Sequence, residues 1–241
     1  MKLMAIAVYL PALTGIRTRD PGFVRQNHIF EWVQDHRLHH RYSETDADPH
    51  NATRGFFFAH IGWLFVAKHP ESVAREKSTD MSDMLADPVV VFQKRHYYVL
   101  AALLCFVIPT MVPVLLWHER PLTALLVCGI LRYVCTLHST WLVNSAAHLW
   151  GRRPYDRFIN PAENPMVAMA ALGEGWHNYH HSFPWDYRTA ELGGGTRNLT
   201  TSFIDLMAWI GWAYDRKTVS QDMVTLRAQR KGDGSYRPKE Q

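Results

Sequence analysis

From Tyr97 to Trp117 the chain runs for 21 residues without a formal charge. Crossing a bilayer as a helix takes about 20 mostly apolar residues, so this stretch restricts the fold more than any other. Pro109 and Pro113 lie within it and predict a kink, which a membrane helix tolerates. A second apolar stretch covers 122–147, interrupted by Arg132 and His138. Only His118, Glu119, Arg120 and Pro121 separate the two, so a tight helical hairpin is expected. The alternative is a buried hairpin inside a soluble bundle.

Charge sets the orientation. Lys94 and Arg95 precede the first stretch, Arg152, Arg153 and Arg157 follow the second, and the connector carries only Arg120 among basic residues apart from His118. The positive-inside rule then places both long flanks in the cytosol. Asn51-Ala-Thr53 and Asn198-Leu-Thr200 match the glycosylation pattern but face the cytosol on this topology and stay unmodified. The apolar run from Leu3 to Leu13 is 11 residues, too short to span, and only a poor match to a signal peptide. The chain divides into a leader (1–25), a cytosolic segment (26–95), a two-span hairpin (96–147), a second cytosolic segment (148–226) and a polar tail (227–241), expected to be solvated.

A net charge of +4 without a patterned basic face gives no nucleic-acid footprint. The three cysteines, Cys105, Cys128 and Cys135, all sit in apolar surroundings and form no C-x-x-C pair, which argues against a disulfide scaffold and a thiolate metal site. Histidine is the outstanding residue, at 14 of 241. Seven of these fall in His36-Arg-Leu-His39-His40, Asn144-Ser-Ala-Ala-His148 and His177-Asn-Tyr-His180-His181. On a helix, residues three and four apart share a face, so the first and third clusters each present three imidazoles together. Neutral imidazole ligates iron, zinc, copper or nickel without adding charge. Seven exceed one tetrahedral zinc and suggest two metals. Soluble di-iron bundles rely on Glu and Glu-x-x-His, whereas the only carboxylate near the third cluster is Glu174, in a Gly-Glu-Gly turn. Asp46 and Asp48 lack the Gly and distal Glu of a calcium loop and suit contacts behind the ligands, or helix caps.

These boxes, together with Asp46-Ala-Asp-Pro-His-Asn51, Arg54-Gly-Phe-Phe-Phe-Ala-His60 and Pro154-Tyr-Asp156, resemble the membrane acyl-CoA Δ9 desaturases (stearoyl-CoA desaturases). The resemblance runs from about Gln26 to Arg237. It implies an all-α integral membrane fold, here with two transmembrane helices where the family has four, carrying a cytosolic helical cap with a His-rich di-metal site. It implies two irons held by His36, His39, His40, His148, His177, His180 and His181, with Asn144 holding a metal-bound water. It further implies O2 as co-substrate, a fatty acyl-CoA desaturated at C9–C10, electrons from cytochrome b5, and a place in the endoplasmic reticulum membrane. Trp32 and Thr140 match residues at the kink of the family's acyl tunnel, and Trp141 its wall. Asn27, Asp35 and Lys68 match positions that meet the CoA head, with Gln34 where a basic residue is usual.

One departure stands out. The family has a first box, H-x-x-x-x-H, roughly thirty residues before the second, and two earlier spans. No His occurs before His28, which stands where the family usually has an acidic residue. The expectation is therefore an N-terminally truncated desaturase with impaired activity. The alternatives are a non-catalytic remnant and another membrane di-iron enzyme such as a hydroxylase, which is disfavoured because the matches extend beyond the boxes.

Overall fold

The computed structural model describes residues 28–191 and 198–237. The expected leader and Asn27 lie outside the described residues. Among these, the chain is mostly helical and has no strand, only isolated bridges joining Glu163 to Arg152 and Trp176. It divides into two compact units. One takes in residues up to Pro49 and Gly62–Thr140; the other takes in His50–Ile61 and the residues from Trp141 onward.

In the first unit, α1 (Ile29–Tyr42) begins where the His28 ring accepts the Glu31 N–H, and it keeps Glu31 in its first turn and His39, His40 and Arg41 in its last. That arrangement suits the helix dipole. Next come α2 (Phe56–His60), which belongs to the second unit, then α3 (Pro70–Ser78), α4 (Ser82–Leu85) and α5 (Pro88–Arg95). Helices α3 and α5 start on proline, which needs no N–H partner there, and Asp87 caps α5 by accepting the Val89 N–H.

The two long helices follow as expected from their apolar content: α6 (Tyr97–Trp117) and α7 (Pro121–Leu149). Both are long and apolar enough to cross a membrane. Their most apolar windows are only 17% and 22% buried among the described residues, unlike the mostly buried core helices of a soluble bundle. Each widens to π geometry, at Ala102–Val107 and Leu125–Leu131. The prolines explain the first widening. Pro109 has no N–H, and its ring crowds the carbonyl four residues back, that of Cys105. Arg132 donates to that carbonyl through Nη2 at 2.5 Å and to the Cys128 carbonyl through Nε at 2.8 Å. The charge that interrupts the second apolar stretch thus ties it to the first.

The second unit continues from the end of α7 through α8 (Pro165–Ala170), α9 (His177–Ser182), α10 (Leu199–Trp209) and α11 (Gln221–Lys231). Asn164, Asn198 and Ser220 cap α8, α10 and α11 with their side-chain oxygens. Tyr155, Tyr179, Phe183, Val219, Val224 and Ala228 form one buried cluster, against which Tyr236 packs. Residues 227–237 are therefore not simply a solvated tail. Arg227 lies within α11 and pairs with buried Asp156 at 2.8 Å, and the Lys231 carbonyl accepts the Arg157 N–H at 2.9 Å.

Candidate metal centre

Two groups of imidazoles stand on separate elements. On α1, spacing alone brings His36 and His40 together, with their Nε2 atoms 3.0 Å apart. Trp32, one turn earlier, stacks on His36 at 4.3 Å between centroids. His39 points to the buried side, where its Nδ1 lies 3.0 and 3.1 Å from the two oxygens of Asp48. Asp48 also accepts the Glu44 N–H, which fixes the carboxylate. Burial would lower the His39 pKa, yet the charge and hydrogen bond of Asp48 outweigh it and raise the value. A ring whose Nδ1–H is donated to a carboxylate presents its Nε2 lone pair to a ligand site. Asp46 stays at the surface, 4.0 Å from His69.

The second group is built from the end of α7 and from α9. His148 and His177 approach to 3.0 Å between Nε2 atoms, and His177 and His181 to 3.1 Å. Their ligand atoms all lie within 4.8 Å of one another, close enough to hold a metal ion. His148 is 1% exposed and His177 4%, so these are not surface imidazoles. His180 is buried and stacks on His177 at 5.5 Å. Asn144 ends the regular part of α7. Ser145 breaks the helix between Asn144 and His148, and its hydroxyl meets the Trp141 carbonyl at 2.8 Å and His60 Nδ1 at 2.9 Å. Asn144 and His148, four apart in sequence, are thus not joined by an unbroken helical turn.

The helix that carries three of the imidazoles is only six residues long and cannot stand alone. Three features hold it, one of them within the helix itself. The Glu163 carboxylate accepts the Tyr179 N–H at 2.7 Å. Removal from water drives this carboxyl up to about 8, against the pull of the backbone N–H groups. Fully buried Asn178 accepts from the N–H groups of Tyr155 and Asp156 and donates to the carbonyls of Asp156 and Pro161. Gly175 permits the approach of α8: a Cβ there would meet the Ala168 nitrogen at 2.1 Å. Glu174 is also pushed up, to about 7, by burial. Sequence reasoning passed over Glu163, Asn178 and His60. The signal for α9's anchoring was Asn178 itself, a polar residue between the imidazole positions 177 and 180.

Of the residues expected to meet substrate, Asp35 is buried and paired with Lys68, whose ammonium also reaches Glu76 at 2.7 Å. Lys68 is therefore held in place rather than loose at the surface. Thr140 donates to the Thr136 carbonyl along α7, and Trp141 is buried with its edge toward His60.

The family model described as fatty acid desaturase matches residues 22–192. An acyl-CoA Delta-9 desaturase of Acheta domesticus is 59% identical over 211 residues, covering 88% of this chain and 59% of that protein. An acyl-CoA Delta12-desaturase of the same organism is 56% identical over the same shares. Stearoyl-CoA desaturase 5 of Bos taurus is 55% identical over 210 residues, 87% of this chain and 62% of that protein. The chain thus spans about three-fifths of the length of these relatives.

Proposed function

Because the chain belongs to the fatty acid desaturase family, we propose that it serves the oxygen-dependent desaturation of a saturated fatty acyl-CoA at C9–C10. The acyl-CoA becomes its cis-monounsaturated form, stearoyl to oleoyl or palmitoyl to palmitoleoyl. The observation that carries this reading is the convergence of His148, His177 and His181. Neutral nitrogens with no carboxylate among them fit a borderline metal and accept it without excess negative charge. On this reading His36, His39, His40, His148, His177, His180 and His181 hold two irons, with Asn144 engaging a metal-bound water. The irons supply the activation of O2 that no side chain can perform.

What the chain's own residues do follows from their contacts. Asp48 keeps the His39 proton on Nδ1 and leaves Nε2 for ligation. Glu163 and Asn178 hold α9 so that its imidazoles need not reorganise. The Asp35 and Glu76 carboxylates aim the Lys68 ammonium, a point charge suited to a CoA phosphate, with Asn27 assisting. Trp32, Thr140 and Trp141 line the acyl chain and set which methylenes meet the oxidant. The electron donor is cytochrome b5, and the site is the endoplasmic reticulum membrane, with both long flanks cytosolic. No nucleic acid is involved.

Two measurements test this. Purified chain should contain iron, and His177→Ala should lower its iron content; iron-free protein overturns the metal assignment. Iron-loaded protein given stearoyl-CoA, O2, reductant and the donor should form a C9 double bond. Iron without product would instead favour a non-catalytic member of the family.

A further inference from the structure

The second unit carries an apolar strip that its own core does not use. On α10, Thr201 and Ile204 face inward and are buried, while Leu206 and Trp209 face out. Beyond its end the chain turns at Gly211, with the Trp212 N–H donating to the Met207 carbonyl. Trp212 is thereby also presented outward: Trp209 is 82% exposed and Trp212 62%. At its start, the Thr200 N–H donates to the Leu172 carbonyl, which joins α10 to exposed Leu172 and Met169 at the end of α8.

The other face of α8 identifies the surroundings. Val167 packs against Ala146 and Ala147, with Leu142, Val143 and Ala171 around them. These are the last turns of α7. Up to the break at Ser145 that helix has 24 residues, about 36 Å at 1.5 Å per residue, against a hydrocarbon core of about 30 Å. A span that starts at Pro121 leaves the core near Thr140, so Leu142 to Ala147 stand at headgroup level. The strip begins there. Its far end carries Tyr214, Asp215, Arg216 and Lys217, all exposed, with Arg216 paired to Asp205 of α10 and Lys217 adding a second basic group. Exposed tryptophans and a tyrosine, with Arg216 and Lys217 beside them, are the chemistry of a bilayer interface.

We infer that the face formed by Met169, Leu172, Leu206, Trp209 and Trp212 lies in the lipid headgroup region and docks the second unit on the membrane surface. The inference rests on the membrane reading of α6 and α7, and its test separates the two. The three cysteines are free, so Cys105→Ser, Cys128→Ser and Cys135→Ser give a background for single nitroxide labels. Labels are placed at Trp209→Cys, Leu206→Cys, Ser235→Cys and Leu115→Cys, in full chain reconstituted into phosphatidylcholine–phosphatidylserine vesicles. Collisions with O2 report lipid and collisions with a neutral nickel chelate report water.

The expected result is an O2-to-nickel ratio at 209 and 206 several-fold above that at 235 and below that at 115. Ratios at 209 and 206 equal to that at 235, with a high ratio at 115, overturn the docking face alone. A water-like ratio at 115 overturns the membrane reading and the docking face together. Dipolar broadening at 209 that disappears on dilution with unlabelled chain identifies a second copy as the occupant and also overturns it.

Discussion

Asn178 saturates its amide from a fully buried position, with two bonds accepted and two donated. Each such bond contributes about 1 kcal/mol net, and buried partners left behind add more. Asn178→Ala should therefore cost about 3 kcal/mol or more and lower the iron content, although no ligand is touched. Asn178→Asp keeps the acceptor for the two N–H groups but turns a carboxylate oxygen toward the Asp156 and Pro161 carbonyls, so it should cost at least as much, as read by thermal unfolding and metal analysis. Asp48 makes a second residue-level prediction. Its carboxylate fixes the His39 tautomer, so Asp48→Asn should weaken metal binding by about 10–100-fold, the usual effect of losing such a partner. Competition with a chelator measures this, and unchanged affinity would remove Asp48 from the role. The imidazoles were legible from their spacing, and the position of Asp48 behind them was anticipated. Asn178 was not, because its partners are backbone groups of 155, 156 and 161, which no local pattern reveals.

At the scale of elements, the two long helices were read to within a few residues, since twenty apolar residues without charge admit few alternatives. Their π segments were not, because these depend on how Arg132 of one helix meets a carbonyl freed by Pro109 of the other. The short α9 shows the opposite case, an element with a clear motif and little intrinsic stability. The Glu163 carboxyl that caps it is raised from 4.5 to about 8 in the folded state. The folded protein then binds the proton more tightly than the unfolded chain. This group's contribution is fully present below its ordinary value of 4.5 and is lost as pH rises through about 8. Glu163→Gln cannot lose a proton and keeps an oxygen acceptor for the Tyr179 N–H. The difference in Tm, variant minus parent, should thus rise with pH across that window in metal-free protein. A difference independent of pH would show that Glu163 does not titrate there.

For the whole chain, the residues that complete the core around α9 come from its far end. Val219, Val224 and Ala228 close the cluster that contains Tyr155, Tyr179 and Phe183. Tyr179 stands between His177 and His180 and is 1% exposed, with its hydroxyl on Asp186 at 2.9 Å. A basic, polar stretch reads as solvated because most of its residues are; only Val224 and Ala228, one turn apart, mark a face of α11 that packs inward. The consequence is a long-range dependence of the metal centre on α11. Val224 is 1% exposed, so Val224→Asp buries an unpaired carboxylate and should cost at least about 3 kcal/mol, with iron content falling in parallel. Leu226 lies on the same helix but is 45% exposed, and Leu226→Asp should change stability by no more than about 0.5 kcal/mol. Equal effects of the two variants on Tm and iron would mean that α11 acts through its charge or mere presence. The expected split, loss at 224 and tolerance at 226, ties the imidazole group to packing more than 40 residues beyond His181.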